Sequence, residues 1–109
     1  MGTRGRTNVE EKLSQRIREC AAEYVARESD RTTLITITRV LLSKDKRAAT
    51  ALVTVFPEQK ETVALSFLKR HRSDFKHYLK THVSLKFIPF VDFALDNGEK
   101  NRQHVDTLV

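Results

Sequence analysis

From Val9 onward, apolar side chains return every three or four residues, at Leu13, Ile17, Cys20, Ala21 and Tyr24, with Lys12, Arg16, Arg18 and Glu23 between them. That period predicts an α-helix of about five turns, apolar on one face and solvated on the other. Thr7 or Asn8 suits its first turn as a cap, with Glu10 or Glu11 three residues on as the reciprocal half of a capping box. The preceding MGTRGR has two Gly, two Arg and no period, so residues 1–6 are expected to form a flexible basic arm.

The period changes after Arg31. Thr32 to Leu42 is dense in Thr, Ile, Val and Leu, the composition of a strand. Ile35 and Ile37 fall on one face of it and Val40 and Leu42 on the other. One extra residue around Thr38 and Arg39, a β-bulge, would restore a single apolar face. Ser43 to Arg47 is a polar turn, and the alternation of Ala49, Ala51, Val53 and Val55 with Thr50, Leu52, Thr54 and Phe56 predicts the partner strand of a hairpin.

Pro57 opens a second helix, where a missing N–H costs nothing and Glu58 and Glu61 suit the positive end. Its predicted buried stripe is Val63, Ala64, Phe67 and Leu68. Continuing that stripe to Phe75, Tyr78 and Leu79 requires an apolar residue at 71, which is His. Ser73 suits an N-cap and Asp74 a first turn, so two helices are expected, joined at a kink formed by His71, Arg72 and Ser73. Leu85 to Leu95 reads as a third strand, with Pro89 at an edge or irregular point and Val91 and Phe93 facing the core. Asn97-Gly98 signals a turn, and residues 97–109 are expected as a tail or one short docked turn. The fold class is therefore α+β, a three-stranded sheet covered on one face by helices, with residues 7–96 as one domain.

A length of 109 residues allows one domain with a small core. The single Cys20 cannot form an internal disulfide and falls on the apolar face of the first helix, where it reads as a small core residue. With no apolar leader after the first basic residues, a reducing, cytoplasmic compartment is expected. The longest apolar stretches fall well short of the roughly 18 residues of a membrane helix.

Charge sharpens the picture. Twenty Lys and Arg against fourteen Asp and Glu leave a net charge of +6, which favours an anionic partner without naming it. The positive charge is densest in FLKRHRSDFKHYLK, residues 67–80, with Lys69, Arg70, Arg72, Lys76 and Lys80. Lys69, Arg72, Lys76 and Lys80 follow spacings of three, four and four, on one side of a helix. Together with the N–H groups of a helix start at Ser73, that stripe favours phosphate, and such contacts position a protein on nucleic acid without reading bases. Four or five neutralised phosphates on single-stranded RNA imply a log–log salt slope of about −3. The same stripe is equally the pattern of a solvated face. Lys44, Lys46 and Arg47 make a second positive spot, either an auxiliary RNA contact or ordinary turn residues. Phe67 and Phe75 read as core, while Tyr78 and Phe90 stack on a base only where exposed.

His71, His77, His82 and His104 sit in no HExxH or Cys/His framework. His71 and His77 are about 240° apart around a helix, so no shared metal is expected. Paired carboxylates, a Walker loop and a dinucleotide-binding fingerprint are missing from the sequence, so neither a cofactor nor catalytic residues are expected.

The order and spacing of several residues resemble the bacterial ribosome-binding factor A family across about residues 9–108. The carriers are the amphipathic first helix, Thr36-Ile37-Thr38 leading through Val40 and Leu42 to Ser43-Lys44-Asp45, and the return strand with Ala49, Val53 and Val55. Pro89, Val91, Phe93 and Asp96 continue the match, and Val105-Asp106-Thr107-Leu108 closes it. KH domains that clamp nucleic acid carry a GxxG loop, which this chain lacks. The family replaces it with an Ala-x-Gly kink, matched here by His71, Arg72 and Ser73, a departure at two of three positions. The resemblance implies a KH-like domain of type II, in the order α-β-β-α-kink-α-β. It also implies a non-enzymatic cytoplasmic factor that binds the small (30S) ribosomal subunit and assists its late maturation and 16S rRNA processing. The expected partners are small-subunit rRNA and neighbouring ribosomal proteins, met by a monomer through Lys69, Arg70, Arg72, Ser73, Lys76 and Lys80, with Lys44, Lys46 and Arg47. The alternative is a general KH-like RNA-binding or protein-interaction module not tied to ribosome assembly.

Overall fold

In the computed structural model, which describes residues 3–98 and side chains from Val9 on, the apolar period of the first segment becomes helix α1, Thr3–Glu28. Ile17, Cys20, Ala21, Tyr24 and Val25 are buried along it. The helix starts ahead of the Thr7 or Asn8 cap, so Thr3 to Arg6, expected as an arm, are helical. Arg is a good helix former and one Gly costs only about 1 kcal/mol, so nothing there stops the helix from extending.

Strands β1 (Leu34–Leu42) and β2 (Ala48–Phe56) pair antiparallel, with the register shifting between Ile37 and Arg39. Thr38 is the extra residue, and the shift brings both Ile37 and Val40 into the core. β1 begins two residues after Thr32, because the Asp30 carboxylate takes the Thr32 N–H at 3.0 Å and its hydroxyl at 2.8 Å. That local bonding competes with the ladder. In the turn, Asp45 accepts from the Ser43 hydroxyl (2.7 Å) and the Arg47 N–H (3.0 Å), and Lys46 adopts a φ of 60°.

Pro57 leads into a 3₁₀ turn, Glu58–Lys60, ahead of α2, Glu61–Arg70. Ala64 and Leu68 are buried, but Val63, expected in the same stripe, is 68% exposed. It lies about 140° from Leu68 around the helix and points off the sheet. Helix α3, Arg72–His82, follows a single intervening residue and buries Phe75 and Leu79.

β3, Phe90–Leu95, pairs parallel to β2 and starts five residues later than Leu85. The register explains the late start: Ala48 is opposite Phe90, and residues before Phe90 would run past the hairpin turn with no partner. Sheet order is β1-β2-β3, so β3 is an edge, entered from the buried Pro89. The helices cover one face, and Phe75 and Leu79 meet Val53, Val91 and Phe93 in the core. Buried Asp96 receives the Thr38 hydroxyl at 2.5 Å, tying the bulge to the end of β3. Asn97 and Gly98, expected as a turn, are helical, following an Asp of the type favoured ahead of a helix. The expected C-terminal tail from residue 99, with His104, Val105 and Leu108, lies outside the described residues.

Candidate nucleic-acid interface

The break between α2 and α3 falls on His71. Its N–H reaches the carbonyls of Phe67 (3.2 Å) and Leu68 (3.1 Å), and its own carbonyl accepts the Phe75 N–H at 2.8 Å. One residue thus closes one helix and opens the next. Its backbone, φ −95° and ψ 7°, lies in the bridge region. Lys46 is the one described non-glycine residue with positive φ, so His-Arg-Ser makes this kink without glycine's left-handed conformation. The His71 ring is held by the Tyr24 hydroxyl, 2.8 Å from Nδ1, and by Phe67, with ring centres 4.3 Å apart.

Ser73 is not the cap of α3. Because the His71 carbonyl already receives the Phe75 N–H, the helix starts at Arg72, and Ser73 is an exposed residue inside its first turn with no side-chain capping bond at that end. The helix-start device expected at Ser73 is therefore centred on His71.

The cations divide into two groups. Lys69 Nζ lies 2.9 Å and Arg72 Nη1 3.1 Å from the same oxygen, Oδ1 of Asp92, which also accepts the Phe93 N–H at 2.8 Å. Burial works to raise the Asp92 pKa, but the bonds from Lys69, the Phe93 N–H and Arg72 outweigh it and hold the carboxyl below its ordinary value. Arg72 Nε also donates to the Lys69 carbonyl at 3.0 Å. Arg70 reaches Ser66 Oγ at 3.2 Å and is exposed. Lys76 and Lys80 are exposed on the Arg72 side of α3 and take no ion pair with a described residue. On the hairpin turn, Lys46 is 3.5 Å from Glu10, while Lys44 and Arg47 are exposed.

Asp92 is the residue that sequence reasoning missed. Its signal is a lone acid in an otherwise apolar β3. Of the two aromatics considered for stacking, Tyr78 is already covered by His82, with ring centres 3.8 Å apart at 16°, and Phe90 is exposed. Among the described residues no three or more His, Cys, Asp or Glu side chains gather as a metal site, and no helix is long and apolar enough to cross a membrane. Burial pushes the Cys20 thiol above its ordinary pKa, so it is a core residue and not an activated nucleophile. What this surface presents is a group of exposed cations, Arg70, Lys76 and Lys80, beside the Asp92-paired Lys69 and Arg72.

The family model of ribosome-binding factor A matches residues 6–109. The chain belongs to the ribosome-binding factor A family. It is 28% identical over 103 residues to the ribosome-binding factor A of Chlamydia abortus, covering 90% of this chain and 86% of that one. Its fold is similar to the crystal structure of ribosome-binding factor A from Thermus thermophilus, with a TM-score of 0.70 and 27% identity over 78% of this chain and 93% of the other. A homology model of the Thermus thermophilus factor, fitted into a cryo-electron microscopy map of its complex with the 30S subunit, superposes with a TM-score of 0.66 and 26% identity, covering 76% and 90%. The ribosome-binding factor A fold accounts for the α+β layers and the paired helices.

Proposed function

We propose that this protein binds the 30S ribosomal subunit and assists its late maturation and the processing of 16S rRNA. It acts as a non-catalytic cytoplasmic monomer that touches rRNA and neighbouring ribosomal proteins. The observation that carries the reading is the exposed cationic side of α2 and α3 on a fold whose Thermus thermophilus relative is fitted into a 30S complex. Lys76, Lys80 and Arg70 supply phosphate contacts at once; Lys69 and Arg72 form a fixed, partly neutralised base beside them; and Lys44, Lys46 and Arg47 extend the positive surface along the hairpin turn. Ser73, exposed in the first turn of α3, adds a hydroxyl.

Sucrose-gradient sedimentation of a lysate tests this reading. The protein is expected with free small subunits and not with 70S ribosomes or polysomes. Recovery only at the top of the gradient, or equally across all ribosomal fractions, overturns it.

A further inference from the structure

Two positive regions far apart in sequence meet at one aromatic ring. Phe90 is 40% exposed at the head of the edge strand. Its N–H bonds the Arg47 carbonyl at 2.9 Å, which sets it beside the end of the hairpin turn. The guanidinium carbon of Arg72 lies over the ring, 5.6 Å from its centre. Arg72 is not free to wander there: Asp92 holds Nη1, the Lys69 carbonyl holds Nε, and Asp92 is itself fixed by Lys69 and the Phe93 N–H.

We propose that Phe90, with Arg72 held over it, is a stacking site for an unpaired RNA base, and that Asp92 is a positioning residue that aims Arg72. The inference rests on the reading that the protein binds rRNA. An acidic peptide would need only the cations and would gain little from the ring. A base stacks on either the ring or the guanidinium plane. Its flanking phosphates find exposed cations at Arg47, next to Phe90 across the sheet, and at Lys76, one turn along α3 from Arg72.

The test uses the full chain and two labelled RNA octamers with the same phosphates, one oligo(A) and one abasic, followed by fluorescence anisotropy at 50 mM salt. The wild type should bind oligo(A) about 30-fold tighter than the abasic strand, the mid-range for one stacked base. Phe90→Ala and Phe90→Leu should bind both strands with the abasic affinity, and Phe90→Tyr should keep the preference. Phe90→Leu retains apolar bulk, so its loss of preference cannot be put down to misfolding, which melting curves check. Equal affinity of the wild type for the two octamers overturns the proposal, as does a preference that survives in Phe90→Leu. Displacement of oligo(A) by polyglutamate as readily as by unlabelled RNA shows a bare anion site and also overturns it. Sedimentation with 30S subunits is read separately: its failure beside an intact base preference removes the ribosomal reading and leaves the stacking site.

Discussion

Lys76→Gln combined with Lys80→Gln gives the sharpest test of how the cationic side of the helix pair works. Five cations lie between Lys69 and Lys80, and Asp92 cancels one of them through its shared bonds to Lys69 and Arg72, leaving four to neutralise phosphates. At about 0.7 per contact on single-stranded RNA, the expected log–log salt slope is about −2.8, an affinity loss of about 50-fold between 50 and 200 mM salt. The double variant removes two contacts that have no intramolecular partner among the described residues. Its slope should fall to about −1.4, and the loss over the same salt range to about 7-fold. Lys and Gln have nearly equal helix propensity and both sites are exposed, so folding should be untouched. The assay is a fluorescence anisotropy titration of labelled single-stranded RNA at four salt concentrations. A variant slope equal to that of the wild type would refute the count, and a wild-type slope near zero would refute phosphate binding altogether.

Other expectations follow from single contacts. Asp92→Asn should steepen the slope by about 0.7, because Lys69 and Arg72 lose their competing anion. The Asp92 pKa is depressed in the folded chain, so the stability its ionisation adds is full above the ordinary value of about 3.9 and is lost as pH falls through the lower folded value. Urea midpoints of wild type and Asp92→Asn should therefore differ at pH 7 and converge below that window; a constant gap would contradict the assignment. Phe75→Ala, at a site with no exposure, should cost about 3 to 5 kcal/mol by urea denaturation. Thr38→Val removes the hydroxyl bonded to buried Asp96 and should cost about 1.5 to 3 kcal/mol, and an unchanged midpoint would show the bond to be incidental.

Features written in local patterns are legible in the amino-acid order itself. The bulge shows as a flip in the apolar alternation around Thr38, and the helix break as one polar residue, His71, in an apolar stripe. The α+β order follows from those periods. The start of α3 at Arg72 is a local matter that capping preference misjudges: the His71 carbonyl, four residues back, captures the Phe75 N–H although Ser73 has the better capping chemistry. Features set by partners distant in sequence are not legible in this way. The start of β3 is fixed by where β2 begins, and not by Leu85 or its neighbours. Asp92 meets Lys69 and Arg72 across 23 and 20 residues, a link no periodicity encodes.

The parallel pairing of β2 with β3 also orders events in time. Ala48 and Phe90 are 90 − 48 = 42 positions apart, whereas Leu42 and Ala49, which close the hairpin, are 49 − 42 = 7 apart. Loop-closure entropy makes the longer join about 1.6 kcal/mol costlier, so the hairpin should zip first and β3 should dock last. Substitutions in β3 are then expected to speed unfolding while leaving the folding rate nearly unchanged, which stopped-flow kinetics measures. Because Phe90 and Asp92 both ride on that last strand, a chain still being synthesised carries the basic helices without the organised surface beside them. Selective engagement of RNA would thus arrive with the final step of folding.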